Sequence, residues 1–275
     1  MNALRLAFGL LTAVPVGRLP QVDRRSAGAA MLLAPVTALP VLVLVAGASA
    51  VVAAGASPPL LAALVVCAGA VYSRAMHLDG LADTADGLSA GYDPQTSLRA
   101  MKASDTGPSG VAAVVLALLV QVTALATLLA SAPGAVLAGL AWLVSRHTLA
   151  LACRRGVPAA QPTGLGALVA GSVGGGGLAC SSLALGAVAG VAGWWAGTLP
   201  ATADGTPTGP AGALGVLGWW VGPAVALVGV AAAQFLLRRC RQRLGGVTGD
   251  VLGAGIEISL SASLAVAALL MAAAG

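Results

Sequence analysis

Seven long apolar runs, separated by short connectors that carry nearly all the charge, restrict this chain to very few folds. The runs lie near residues 28–55, 59–77, 110–132, 134–152, 168–198, 213–237 and 250–274. A helix needs about 20 apolar residues to cross a bilayer, because each backbone polar group must find its partner within the segment. The expected fold is therefore all-α: a polytopic transmembrane helical bundle of about seven spans, forming one integral membrane domain over residues 1–275. Composition agrees, with 58% hydrophobic and only 8% charged residues, against roughly a quarter charged in soluble domains. The second and fourth runs are short. The first and fifth are long enough to tilt or break, and Gly174 to Gly177 marks a break point in the fifth. Met1 to Val16 has a single Arg5, an apolar stretch broken at Pro15, and no small-residue cleavage site, so it reads as a retained interfacial or re-entrant helix.

Charge orients the bundle. With the N-terminus inside, all fourteen Lys and Arg fall on or near the cytoplasmic side, including Arg154–Arg155 and the cluster Arg238, Arg239, Arg241 and Arg243. Of the nine acids, only Asp204 falls outside, in the loop 199–212. Trp194–Trp195 and Trp219–Trp220 flank that loop, as an aromatic belt at the outer interface would. Loops 78–109 and 153–167 are then cytoplasmic. The net charge of +5 comes without any basic tract interleaved with aromatics, so it points to anionic membrane lipid rather than nucleic acid. Cys67, Cys153, Cys180 and Cys240 are scattered, and the sequence offers neither a disulfide framework nor a zinc site. The many glycines give smooth helix faces for close packing, and no internal repeat suggests the inverted halves of a transporter.

Three polar stretches stand out. In the inner loop 78–109, His77-Leu78-Asp79-Gly80-Leu81-Ala82-Asp83-Thr84-Ala85-Asp86-Gly87 places three carboxylates at i, i+4 and i+7, on one face of a helix. Like charges at that spacing repel, which calls for a compensating cation, and carboxylates alone favour a hard ion, Mg²⁺ or Mn²⁺, over zinc. A solvated acidic loop whose aspartates cap helices has the same spacing. Near the other end, Leu244-Gly245-Gly246-Val247-Thr248-Gly249-Asp250 precedes a span that carries Glu257 two turns deeper on the face of Asp250. An acid in a span is a functional candidate, and the glycines suit either a phosphate at a helix N-terminus or a plain linker. The third stretch, Met101-Lys102-Ala103-Ser104-Asp105-Thr106-Gly107-Pro108-Ser109-Gly110, reads as a helix entry capped by Asp105 or Thr106, or as a cover over a phosphate. Arg74 and Arg146 suit snorkelling anchors or anion contacts, while His77 and His147 suit structural roles or a general base.

With these residues in place, the sequence resembles the cobalamin synthase family, the adenosylcobinamide-GDP ribazoletransferases. His77 to Gly87 is similar to the family's H-x-DGLADT-x-DG signature, and Leu244 to Glu257 to its GG-x-x-GD-x-x-GA-x-x-E motif. Gly164-Leu165-Gly166, Ser145-Arg146 and Ala13-Val14-Pro15-Val16 resemble weaker family features. Two positions depart from the pattern: Ala103 stands where the family carries an acid, with Asp105 two residues on, and Leu260 where a further acid often follows Glu257. The resemblance implies a phosphotransferase of the prokaryotic inner membrane with its active site facing the cytoplasm. Its substrates would be adenosylcobinamide-GDP and α-ribazole or α-ribazole 5′-phosphate, with GMP released. Mg²⁺ is the expected cofactor, held by Asp79, Asp83, Asp86, Asp250 and Glu257. His77, Asp83, Asp86 and Asp250 are the expected catalytic residues, and Lys102, Ser104, Arg74, Arg146, Gly246 and Thr248 the expected substrate contacts. Such chemistry needs charge neutralisation and in-line positioning rather than a covalent nucleophile.

Two alternatives belong beside it. Asp83-Thr84-Ala85-Asp86-Gly87 is similar to the opening of the CDP-alcohol phosphatidyltransferase motif, without the A-R that should follow. A divalent-cation transporter could line a path with Asp79, Asp83, Asp86 and Glu257, although these acids cluster toward one side. The sequence leaves the oligomeric state open, a homo-oligomer included.

Overall fold

The computed structural model describes residues 2–18, 22–103, 105–198 and 218–273. The loop 199–212 with Asp204, and Ser104, lie outside the described residues. Helices α1 to α12 are, in order, Asn2–Leu11, Arg24–Leu32, Leu39–Ala53, Pro58–Tyr72, Met76–Ser89, Pro94–Ala100, Pro108–Leu129, Ala132–Ala152, Gly164–Val169, Gly175–Thr198, Val221–Leu244 and Gly249–Ala273. Among the described residues, β structure is confined to two isolated bridges, Arg154 with Val173 and Ala159 with Val247. The protein is an all-α polytopic bundle. Six segments are long and apolar enough to cross a membrane, or seven if the bent pair α4–α5 counts as one.

The bundle is apolar outside and largely apolar inside, with leucines, alanines and valines filling the core and a few polar side chains buried among them. Val43, Val71, Leu183, Leu227, Phe235 and Leu269 are all exposed on its surface. Helix α8 is the central post, buried along most of its length, with α3, α7, α10, α11 and α12 packed around it. At one end, α10 and α11 meet with almost no room. A Cβ on Gly193 would come 2.6 Å from the carbonyl oxygen of Trp219, and Gly222 faces the backbone of Ala189. The tryptophans of both pairs are exposed there.

Several span boundaries differ from the sequence expectation. The run 28–55 is split: α2 stops at Leu32, a 3₁₀ turn Ala34–Ala38 carries Pro35, and the span runs Ala34–Ala53. Pro35 has no amide proton to continue the α2 ladder. The run 168–198 begins as a span only at Gly175, where the glycine break falls, while α9 is a separate short helix before it. The run 213–237 extends to Leu244 and takes the arginine cluster into its last turns. The run 59–77 ends at Tyr72.

That last difference shapes the protein. Between α4 and α5 the axis turns by 86°, through Arg74 and Ala75, both at φ 55°. Left-handed backbone at two consecutive non-glycine residues is strained by about 1–3 kcal/mol each, so the surroundings must hold it. They do: Ala75 N donates to Ala70 O at 2.7 Å, Ala13 N donates to Tyr72 O at 2.7 Å, and Arg74 Nη2 donates to Gly9 O at 3.2 Å. The N-terminal helix and the Ala13-Val14-Pro15 stretch thus clasp the bend. Consequently α5 turns away from the course of α4, and its aspartates leave the apolar layer.

Candidate active site

Helix α5 reaches its place by packing on α12 with two glycines at the contact. A Cβ on Gly80 would lie 2.6 Å from the backbone oxygen of Asp250, and one on Gly253 would lie 3.1 Å from His77 Cα. A side chain at Gly80 would force the helices apart, and one at Gly253 would press on the backbone of His77. The pairing runs antiparallel. It brings Asp79 and Asp83 beside Asp250 at the mouth, and His77 beside Gly253 and Glu257 further in.

The mouth is an acidic shelf. Burial comes first, then the carboxylates of Asp79, Asp250 and Asp86, and together they push the Asp83 carboxyl up to about 6. Lys102, just after α6, stands near enough to Asp250 to attract it. Beside Asp250 a cleft of about 200 Å³ is lined by Gln161, Thr163 to Ala167 and Val247 to Gly249. Its floor is fixed by backbone pairing: Val247 N donates to Pro158 O and Ala160 N to Val247 O, both at 3.0 Å. Gly246, expected to cradle a phosphate, instead faces the backbone of residues 158–160, where a Cβ would stand 2.5 Å away. Thr248 starts α12, its hydroxyl accepting from Val251 N at 3.2 Å and lying 3.2 Å from Asp250 Oδ2.

Asp86, expected among the metal ligands, has a different task. Its Oδ2 accepts from Gly107 N at 2.7 Å and its Oδ1 from Gly110 N at 2.8 Å. It therefore supplies the anion for the exposed amides that open α7. Neither Asp105 nor Thr106 caps that helix, because Gly107 holds the N-cap position and α5 brings the carboxylate from outside. A Cβ on Gly107 or Gly110 would strike the Asp86 carboxylate at 2.6 or 2.4 Å, which accounts for both glycines.

Glu257 also departs from the expected ligand set. Seven residues along α12 place it about 10 Å deeper than Asp250, too far for one small cation to touch both. There it accepts from Gln121 Nε2 at 2.8 Å and lies 4.0 Å from His77 Nδ1. Arg146 Nη1 lies 2.8 Å from that same Nδ1. All four side chains are buried. The same Nη1 comes within 3.3 Å of His77 Nε2, so the guanidinium lies along the edge of the imidazole. His77 is thus tied to Arg146 inside the bundle rather than standing open on the shelf. His147 is likewise inside the bundle, 3.1 Å from Ser182 Oγ on α10. Arg74, expected as an anion contact, serves the bend described above.

Two residues carry more than the sequence suggested. Gln121 sits in an apolar span and could have been flagged as its sole amide. Arg243 was grouped with the cytoplasmic-side arginine cluster and given no role of its own, yet it is buried, donates to Leu88 O and Gly91 O, and stacks 4.2 Å from the Tyr92 ring centroid. It ties the end of α11 to the end of the aspartate helix.

The donor chemistry of the shelf fits a hard divalent cation: oxygen only, mutually repelling, with one lysine nearby. Among the described residues no group of three or more His, Cys, Asp or Glu side chains is arranged to hold a metal ion. Mg²⁺ does not require such a group, since it keeps several waters and takes one or two carboxylates together with substrate phosphates.

Comparison with known proteins adds a separate line. A family model described as cobalamin-5-phosphate synthase matches residues 3–268. An adenosylcobinamide-GDP ribazoletransferase of Nocardioides sp. is 42% identical over 267 residues, 96% of either chain. That of Frankia casuarinae is 41% identical over 98% of this chain and 95% of its own. That of Pseudomonas paraeruginosa is 33% identical over 98% of both. No solved structure matches this chain.

Proposed function

Because the chain belongs to the cobalamin-5-phosphate synthase family, and so to the transferases of cobalamin biosynthesis, we propose that it joins adenosylcobinamide-GDP to α-ribazole or α-ribazole 5′-phosphate. The product is adenosylcobalamin or its 5′-phosphate, with GMP released. A ribazole hydroxyl oxygen attacks the phosphorus that bears the cobinamide, the bond to the GMP oxygen breaks, and the hydroxyl proton is lost. The observation that carries this reading is the convergence of Asp79 and Asp83 with Asp250 across the Gly80 contact, although more than 160 residues of chain separate them.

Asp79, Asp83 and Asp250 are the residues that would hold Mg²⁺, whose charge would neutralise the pyrophosphate and the departing oxygen. Lys102 faces the same point and offers an ammonium to a phosphate oxygen. Asp86 fixes α7 against α5 and so helps to position the shelf. Arg243 holds the exit of α5 from above. The cleft beside Asp250 receives a part of one substrate next to the shelf. Ser104, outside the described residues, stays a proposed contact beside Lys102. We place the shelf on the cytoplasmic face of a prokaryotic inner membrane, on the strength of the one-sided charges.

The test is GMP release by purified protein with both substrates, with and without Mg²⁺. Release that needs Mg²⁺ supports the reading, and release unaffected by chelation removes the metal from it. For orientation, Gly91→Cys should react with a membrane-impermeant thiol reagent only from inside, and Gly205→Cys only from outside. The reversed pattern would invert the topology.

A further inference from the structure

Away from the shelf, a second cluster of like charge stands without a partner. Gln234, Arg238 and Arg241 recur at i, i+4 and i+7 on α11, which puts them on one face. Just beyond the end of α8, Arg154 reaches into that face: its Nη1 lies 3.0 Å from Gln234 Oε1 and 2.7 Å from Leu151 O. Arg241 Nη2 comes within 3.5 Å of Gly156 O in the same connector. The only contact within 4.0 Å between a basic and an acidic side chain among the described residues joins His77 to Glu257, so no carboxylate neutralises these guanidiniums. Gln234 Nε2 is buried and has no acceptor.

We propose that Arg154, Arg238, Arg241 and Gln234 form a binding site for a phosphate group at the inner ends of α8 and α11. An arginine that merely snorkels sends its head into water on its own. Here the Arg154 head, from the connector after α8, and the Arg241 head of α11 are held close by, with Arg238 near enough to repel Arg154. Arg154 is anchored through an amide that still offers a free N–H. Burial, then Arg241 and Arg238, lower the pKa of Arg154, so the cluster repels itself until an anion enters. Guanidinium forks match phosphate oxygens in geometry. The position at the ends of two spans is where an anionic lipid headgroup lies, and a free phosphate offers the same oxygens.

The experiment compares thermal unfolding of the full chain in phosphatidylcholine nanodiscs, in nanodiscs doped with phosphatidylglycerol, and in phosphatidylcholine with inorganic phosphate. The wild type, Arg238→Gln/Arg241→Gln, Arg241→Gln and Arg99→Gln are run side by side. The last removes an exposed arginine of α6 and serves as the control. Stabilisation by phosphatidylglycerol alone supports a lipid site, and stabilisation by inorganic phosphate as well supports a site for free phosphate. In either case the double variant should need about tenfold or more of the anion for the same shift, and Arg99→Gln none beyond wild type. Should the double variant not fold, Arg241→Gln carries the comparison. Equal shifts in all proteins, or no shift in the wild type, overturn the proposal.

Discussion

The acidic shelf and the buried network beneath it share the same two helices, about 10 Å apart along α12, yet they obey opposite rules. On the shelf, Asp79, Asp83 and Asp250 crowd together, offset in part by Lys102, and the sequence of the protein tolerates the repulsion. In the network, Glu257, Arg146, His77 and Gln121 answer one another's charges and hydrogen bonds. A buried ion with its partners is a structural joint, and breaking it leaves an uncompensated charge in apolar surroundings. A repelling set at the mouth of a cleft serves stability poorly, so its retention points to chemistry. The contrast separates residues that hold the site from residues that act in it.

The largest effect should come from the shelf. Asp83→Asn is expected to lower GMP release about a thousandfold while the melting temperature stays equal or rises, since a repelling charge is lost. Near-normal turnover would move the active centre elsewhere and break the contrast. Next, Glu257→Leu leaves the buried Arg146 charge without a nearby carboxylate and should destabilise the protein by about 3 kcal/mol, seen in thermal unfolding. Turnover per folded molecule should fall less than tenfold. A Glu257→Leu protein that is stable yet inactive would make the two regions one site.

Smaller still is the expected effect of Asp86→Asn, which weakens a helix cap and costs about 1 kcal/mol. Its turnover should lie well above that of Asp83→Asn, and equality of the two would return Asp86 to the ligand set. The finest probe is pH. The Asp83 carboxyl is raised from 3.8 to about 6, so the folded state binds a proton more readily than the unfolded chain. Stability of the metal-free protein from this group is present below about pH 4 and is lost as pH rises toward 6. Mg²⁺ needs the ionised form, so its stabilising shift should be full near pH 7.5 and shrink below about pH 6. A shift independent of pH would exclude Asp83 as a ligand.

Much of this was legible from residue order. The spans follow from runs of about 20 apolar residues, and the i, i+4, i+7 acids do lie on a helix. Asp250 and the shelf were expected together and are found together. Glu257 was expected among the metal ligands, and it lies deeper, in the network of Arg146, with His77 between. Asp86 and Gly246 were misplaced for a common reason: a carboxylate that caps another helix, or a glycine that admits another strand of backbone, looks in sequence like a ligand or a phosphate loop. Arg243 was missed because a buried arginine at a helix end cannot be told from its exposed neighbours without the partner loop.

Sequence by itself determined the membrane solvent, the count of spans to within one, the family and the chemical character of the shelf, because hydrophobic run length and residue type are local properties. Only the tertiary structure decided which acids face each other. That choice rests on the left-handed turn at Arg74 and Ala75 and on the close approaches at Gly80 and Gly253. Contacts between residues so far apart in the chain depend on helix direction and spacing, which neither periodicity nor charge encodes.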